Sequence, residues 1–286
     1  MSSFRKGLLL SIIVMIVPLL GCLHLIKPDW AFNPDENRGP LEKPRMAPDT
    51  VVLEVMFVHV ASDANRLDSP TWVDMDETHL SIPMRRRLDA NGIRCGLISG
   101  ILPESMLELI ESDRNTSDLE QRTGKVLPQS GQRVQRMQFR TGQPGRIVVS
   151  PTMHEQLSVM VVDGDYVQGT TFRQAQCLFG LRTYPQGDGR IRLELAPEIH
   201  HGKTKTQFVG QDGAWLLKAD RAIERFDQLE IVHLLDPGHT LVLSSSPTPR
   251  GLGRSFFNDS LAASDTSIMV LIRLAQTQRN DLFELE

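Results

Sequence analysis

The sequence predicts an α+β protein in which a small β-α-β-α unit precedes a mainly antiparallel β-domain. Two observations support this class. Residues 51–111 alternate strand and helix patterns twice, and residues 137–286 contain short apolar runs separated by Asp-Gly and Pro-Gly turns. The 286-residue chain is also long enough for two modest domains. We therefore expect domains at 51–111 and 137–286, joined over 112–136 by a polar linker for which a partly helical structure is an open alternative.

The first unit begins with VVLEVMFVHV at 51–60, which is apolar enough to predict a strand buried on both faces. After a polar loop that contains Trp72, three apolar residues recur at helical spacing: Leu80, Met84 and Leu88. Asn91-Gly92 predicts the end of that helix. A second strand is expected at 93–98 and a second helix at 103–111, where a proline is followed by acidic residues.

The second unit predicts an antiparallel meander whose last long strand covers 267–277. Seven apolar residues alternate as the inward face of a sheet should: Leu229, Ile231, Leu241, Leu243, Ile268, Val270 and Ile272. The strands are short, and aromatic residues make up only 6% of the chain, too few for the aromatic girdles of a membrane barrel. We expect a packed sheet domain that forms no pore.

The N-terminus has the pattern of a secretory signal. Basic MSSFRK precedes the apolar run GLLLSIIVMIVPLL at 7–20, which is shorter than the ~20 residues of a spanning helix. The junction LLGC at 19–22 resembles the lipobox of bacterial lipoprotein signals. That resemblance implies that 1–21 is a signal peptide and that Cys22 becomes the acylated, palmitate-carrying first residue. An ordinary signal peptide with an incidental cysteine and an uncleaved anchor helix are the alternatives.

Leu23 follows the cysteine, where the familiar enterobacterial sorting scheme has Asp for inner-membrane retention. We therefore favour the outer membrane, with the protein facing the periplasm. Residues 22–50 are rich in proline and charge and predict a solvated tether. The chain has 31 Lys+Arg against 35 Asp+Glu, a net charge of -4, and no basic stripe. Nucleic acid is accordingly not an expected partner.

Cys95 and Cys177 remain after Cys22 is set aside. Two cysteines in an exported protein can form a disulfide. Each of them also lies in an apolar alternation that would suit a buried free thiol. Both alternatives stay open at the level of sequence.

Four segments carry a resemblance to a known family. They are GRIRLELAPEI at 189–199, LLDPGHTLVLSS at 234–245, GLGRSFF at 251–257 and SIMVLIRL at 267–274. In this order they resemble the C-terminal β-domain of bacterial secretins, the ring-forming outer-membrane channels of type II and type III secretion. Gly238 and residues 240–243 match a turn and strand of that family, and Gly251, Leu252, Gly253 and Phe257 loosely match its gate. The paired Val-Pro and Ile-Pro of the gate are absent, so the resemblance implies a secretin-like sheet without an obvious pore.

The search for reactive motifs yields no catalytic residue. The G-x-S-x-G elbow, the G-x-x-x-x-G-K-[ST] loop and the dinucleotide fingerprint are all missing. His154 and Glu155 begin like the helix of a zinc protease, but Ser158 stands where the second histidine belongs. Asp163-Gly164-Asp165 lacks the later ligands of a calcium loop and predicts a hairpin turn.

Glu198, His200 and His201 are the best remaining metal candidates. Adjacent histidines in a strand point to opposite faces, however, and an exposed loop is the simpler explanation. Another acidic cluster comprises Asp74, Asp76 and Glu77, which suits a helix N-cap as well as an acid/base pair. We expect neither a metal nor a cofactor.

These observations predict a non-enzymatic envelope lipoprotein, anchored to the membrane by its lipid, that acts as a structural or partner-binding component. The candidate partner is another envelope protein bound through a sheet edge. The alternative is an exported hydrolase of unrecognised type, with Asp76 and Glu77 as its acids.

Overall fold

Two antiparallel sheets dominate the computed structural model, which describes residues 49–61, 69–122, 134–150, 153–211, 214–258 and 266–278. The described strands are β1 Thr50–Ala61, β2 Ile93–Ile98, β3 Val134–Arg140, β4 Gly145–Val148, β5 His154–Asp163, β6 Tyr166–Pro185, β7 Ile191–Gln211, β8 Ala214–Arg225, β9 Ile231–Leu235, β10 Thr240–Ser245 and β11 Thr266–Gln278. The described helices are α1 Pro70–Val73, α2 Ile82–Ala90, α3 Glu104–Arg122 and α4 Gly251–Phe257, with a 3-10 turn at Asp227–Leu229. The predicted α+β class is confirmed. The predicted signal peptide, Cys22 and the tether up to residue 48 lie outside the described residues.

The first sheet has five strands in the order β2-β10-β11-β1-β3, and all of its pairs are antiparallel. β1 and β11 pair along their whole lengths, from Thr50 opposite Gln278 to Ala61 opposite Thr266. The predicted 51–111 segment therefore supplies β1 and β2, while the predicted 137–286 segment supplies β10 and β11. The predicted boundary does not separate two sheets, because the apolar strands at the two ends of the folded region pair with each other.

Helix α3 extends into the predicted linker, in agreement with the partly helical alternative. It continues eleven residues past the expected end at 111, to Arg122, and so occupies the first part of the predicted 112–136 linker. The described residues all belong to one compact unit.

The second sheet has the order β4-β6-β7-β8, with β5 paired to β6 and β9 paired to β7. β6 and β7 pair from Pro185 opposite Ile191 to Gln176 opposite His200. Two residues beyond that last pair, Gln174 and Gly202 both have positive φ, at 50° and 74°. This conformation interrupts an extended strand. Beyond it β6 pairs with β5 and β7 pairs with β8, so the sheet divides into two hairpins.

The two sheets enclose the main hydrophobic core, and all seven residues of the predicted inward face lie in it: Leu229, Ile231, Leu241, Leu243, Ile268, Val270 and Ile272. They do not share one sheet, since Ile231 belongs to β9 of the second sheet and Leu241 to β10 of the first. A smaller core covers the other face of the first sheet with residues of α1 and α3, among them Trp72 and Met106. Trp72 is thus a buried residue of a short helix, whereas the sequence indicated a loop.

The segment GLGRSFF folds as helix α4. The rings of Phe256 and Phe257 contact Phe179 of β6, with centroids 5.4 and 6.1 Å away. At the other end of the helix, Gly253 lies against the Asn91-Gly92 turn, and a Cβ at Gly253 would fall 1.7 Å from the Gly92 carbonyl oxygen. The part that resembles a secretin gate is therefore packed into the interior. None of the described helices has the length and apolar character needed to cross a membrane.

Candidate functional site

Glu198 of β7, a metal candidate from the sequence, lies in a buried hydrogen-bonded cluster. Its Oε1 accepts a hydrogen bond from Arg225 Nη1 at 2.9 Å, and its Oε2 accepts one from His200 Nε2 at 3.1 Å. Gly180 of the adjacent strand leaves the space for this carboxylate, because a Cβ at Gly180 would lie 2.0 Å from Oε1. Both carboxylate oxygens are thus occupied by protein donors.

The electrostatics of this cluster indicate a structural ion pair. Burial raises the pKa of Glu198, but the hydrogen bonds from His200 and Arg225 outweigh it, so the pKa is below its ordinary value and the group stays ionised. Arg225 also bonds the carboxylates of Asp227 and Glu230. Its charge is therefore shared among three acids.

His200 and His201 separate as predicted for neighbours in a strand. His200 is buried beside Glu198, whereas the ring of His201 lies 4.8 Å from that of Phe172. The expected exposed loop is wrong, since both residues belong to β7. Among the described residues, no group of three or more His, Cys, Asp or Glu side chains is arranged to hold a metal ion.

A second polar cluster joins His79, Cys95 and His233. No sequence motif indicates this cluster, because the three residues are separated along the chain. His79 Nδ1 lies 2.6 Å from the Asp76 carbonyl oxygen, which can only accept, so Nδ1 carries the proton. The free Nε2 faces the Cys95 sulfur at 3.6 Å. The His233 ring, from β9, meets His79 edge to face with centroids 4.9 Å apart.

The protonation states of this cluster do not fit a nucleophile. Burial raises the pKa of the Cys95 thiol far above its ordinary value, with the Glu77 charge adding to the effect. Burial lowers the pKa of both His79 and His233, and the nearby His79 imidazole lowers the pKa of His233 further. A protonated thiol beside a neutral imidazole is not the thiolate that covalent catalysis requires.

The two candidate acids of a hydrolase serve structural contacts. The Asp76 carboxylate accepts hydrogen bonds from the backbone and hydroxyl of Thr78, which lower its pKa, and its backbone pairs with Leu97 at the edge of β2. Glu77 binds Arg94 through two hydrogen bonds of 2.7 and 3.0 Å. Arg94 in turn lies 4.0 Å above the Trp72 ring. The two carboxylates therefore do not form an acid/base pair.

The N-cap predicted for the acidic cluster is also corrected. Helix α2 begins after Ser81, whose hydroxyl accepts a hydrogen bond from the Met84 amide at 3.4 Å. Asp74 instead ends the short helix α1.

Cys95 and Cys177 are both free and buried, which is the second of the two alternatives. They lie on β2 and β6, in different sheets. Burial raises the pKa of Cys177 to about 12. Both thiols are therefore packing groups in the main core.

The remaining motif candidates fall on the β5–β6 hairpin. His154 begins β5, a strand and not a helix, and its Nε2 lies 3.2 Å from the Ser150 hydroxyl. Asp163 and Asp165 flank Gly164, whose φ is 58°, at the turn between β5 and β6. The predicted hairpin turn is confirmed.

The β7–β8 hairpin exposes large apolar side chains on one of its faces. Phe208 and Leu217 are directly opposite, and Gly210 is opposite Trp215 two residues nearer the turn. Residues opposite each other, or two apart in a strand, share a face. Phe208, Trp215 and Leu217 are nevertheless 72%, 77% and 62% exposed. Three large apolar side chains on one face of a two-stranded hairpin are therefore in contact with solvent.

No protein-family model, no curated protein and no solved structure matches this chain.

Proposed function

We propose that this chain is a non-enzymatic, lipid-anchored component of a bacterial cell envelope that binds another envelope protein by adding a strand to β8. One observation carries the proposal. β8 is a twelve-residue strand at the end of its sheet, and among the described strands it pairs with β7 alone. A long edge strand presents a row of backbone donors and acceptors that a partner strand can complete.

The fork in the second sheet supports this assignment. Beyond the Gln176–His200 pair, β6 no longer accompanies β7, so residues 205–211 and 214–220 form a two-stranded hairpin. Isolated hairpins are marginally stable, and a third strand would complete the unit. The side of β8 away from β7 is where such a strand would add.

The state of the buried ionisable groups supports a binding role over hydrolysis. Glu198 has a donor on each oxygen, Glu77 is bonded to Arg94, and the Cys95 thiol is protonated. These contacts explain the presence of the three groups by a structural role, without a reaction.

The anchor is tested with labelled palmitate fed to cells that express the wild-type chain or Cys22→Ala. We expect label on the wild type and none on the variant, because the LLGC junction would place the acyl chains on Cys22. Equal labelling of both chains would rule out the lipid anchor.

The edge is tested by photo-crosslinking in intact cells, with a photoreactive amino acid at Ala222 of β8 and a matched probe at Arg86, an exposed residue of α2. We expect an adduct with a different envelope protein at Ala222 and none at Arg86. An adduct formed only between copies of this chain would contradict the proposal.

A backbone substitution separates edge pairing from mere proximity. Successive amides of a strand point to opposite sides, so one of Lys218→Pro and Ala219→Pro removes an outward amide while the other disrupts pairing with β7. The variant that keeps its circular dichroism spectrum should lose the adduct. If that folded variant kept the adduct, the partner would not be adding to the edge.

A further inference from the structure

The exposed face of the β7–β8 hairpin differs from its edge, because it offers side chains and not backbone groups. Phe208, Trp215 and Leu217 form this apolar face, defined by the register of β7 with β8. Lys205 is three residues from Phe208 in the same strand. Because side chains alternate along a strand, Lys205 lies on the opposite face, where it is exposed. The described residues leave this apolar face uncovered.

The charge of the hairpin indicates what covers this face. Residues 202–218 contain Lys203, Lys205 and Lys218 but only one acid, Asp212. Lys203 and Lys205 are exposed near the start of the hairpin, while Phe208 and Trp215 lie closer to its turn. Asp220, the next acid, is held 3.6 Å from Arg146 of β4. The hairpin therefore has lysines near its start and aromatic residues near its turn. This arrangement complements a surface that carries negative charge on the outside and is apolar underneath.

We propose that the apolar face of the β7–β8 hairpin docks onto the surface of an anionic lipid bilayer. Trp and Phe settle at the level of the lipid head groups. Lys205 points away from that surface but is only one strand thickness from it. Basic residues near the surface add electrostatic attraction to anionic lipid, which falls off within a Debye length. The docked hairpin lies on one leaflet and leaves the outer edge of β8 open.

This inference rests on the proposed function only for bringing the chain to a membrane. Face and edge use different groups of the same hairpin, so lipid and a partner strand can be bound together. The other occupants of the face, a protein or a second copy of the chain, are outcomes of the test.

The test places an environment-sensitive fluorophore on the hairpin of the full chain reconstituted in vesicles. Phe208→Cys is labelled with a nitrobenzoxadiazole reagent, and wild-type chain treated in parallel gives the background, since Cys95 and Cys177 are buried. We expect blue-shifted emission in vesicles of phosphatidylcholine with phosphatidylglycerol. The shift should shrink in phosphatidylcholine alone and at high salt.

Tyr166→Cys provides the matched control position. Tyr166 is 82% exposed at the turn of the β5–β6 hairpin, but Asp163 and Asp165 flank it in place of lysines. Its label should report water in both vesicle types. The double variant Lys203→Gln/Lys205→Gln, which changes only exposed side chains, should lose the dependence on anionic lipid, and Leu217→Gln should reduce the shift in either vesicle.

Emission typical of water at Phe208→Cys in both vesicle types would overturn the inference. So would a shift that appears without lipid, either on adding envelope protein or on raising the concentration of the chain. If the Ala222 adduct persisted in that case, the proposed partner binding would survive without membrane docking. Loss of the adduct with a retained lipid-dependent shift would support membrane docking and contradict the proposed partner binding.

Discussion

The side-chain amide of Asn91 makes the two backbone hydrogen bonds with Val162 that a neighbouring strand would otherwise make. Asn91 Nδ2 donates to the Val162 carbonyl oxygen, Oδ1 accepts from the Val162 amide, and both distances are 2.8 Å. Asn91 is fully buried at the end of α2, where its backbone carbonyl also accepts from Gly253 of α4. One residue thus connects α2, the β5–β6 hairpin and α4.

Replacing Asn91 with alanine should destabilise the fold. The change leaves the amide and carbonyl of Val162 without partners, and each unpaired backbone group costs ~1–3 kcal/mol when water cannot reach it. We expect the free energy of unfolding to fall by about 2–4 kcal/mol in urea titrations. Asn115→Ala, at an exposed position of α3, is the control and should change it by less than about 0.5 kcal/mol. Equal effects at the two positions would show that the bonds to Val162 contribute nothing.

Alanine at Gly253 should be far more damaging than alanine at a glycine with open space around it. Its Cβ would overlap the Gly92 carbonyl, a backbone group held in the Asn91-Gly92 turn, so α4 would have to move. We expect a loss of about 3 kcal/mol or more in the free energy of unfolding. Gly169→Ala in β6 is the control, because nothing lies within 4 Å of its Cβ position. A Gly253→Ala chain as stable as Gly169→Ala would disprove this close packing.

The His79–His233 contact predicts a pH dependence. Burial lowers both folded-state pKa values below the ordinary 6.5, so the unfolded chain binds more protons. The pair therefore gives full stability above about pH 6.5, and that contribution decreases as the pH falls below it. The charges near the two rings are Asp76, Glu77 and Arg85 beside His79, and Asp236 and His239 beside His233.

Urea titrations would measure this effect on wild type and on His79→Phe/His233→Phe. The range from about pH 7.5 to about pH 5 brackets the ~6.5 pKa of free histidine. Phenylalanine keeps a ring on each side of the contact but cannot be protonated, so the double variant should show the flatter profile. Glu198 and Asp76 have lowered pKa values and lose their contributions only below about pH 4, outside this range. An equally steep profile for the double variant would contradict the assignment.

The two core cysteines should resist alkylation in the folded protein. Burial raises both thiol pKa values and blocks access to the sulfur atoms. Iodoacetamide at pH 8, a value below the ~8.5 pKa of an ordinary thiol, should modify neither in the native chain and both in urea, as read by mass spectrometry. A chain two hydrogens lighter whose cysteines stay unmodified in urea would show a disulfide instead.

Much of the local structure follows from sequence pattern alone. The apolar run at 51–60 predicts β1, and Asn91-Gly92 predicts the end of α2, which the structure has at Ala90. Strand β2 has the predicted bounds. These elements depend on short-range periodicity and on the backbone freedom of Gly92, whose φ is 75°. The end of α3 could not be predicted, because polar helices lack an apolar stripe.

The candidate site divides in the same way. The sequence singled out Glu198 and His200, but not Arg225, which bonds Glu198 from β8. The contact between His79 and Cys95 has no local signal, since it depends on the pairing of Asp76 with Leu97. The exposed hairpin was equally hidden, because an apolar alternation such as that around Leu217 indicates a strand but not whether a neighbour covers it.

What the sequence by itself determined is the α+β class, the alternation of the core strands, the hairpin turn at Asp163-Gly164-Asp165 and the burial of the seven residues predicted to point inward. Tertiary structure decided that β1 pairs with β11 and that the second sheet divides beyond Gln176 and His200. The physical reason is that periodicity specifies which side of a strand is apolar, whereas pairing depends on which strands bury the most surface together. Pairing between strands separated by two hundred residues is decided only when the whole core assembles.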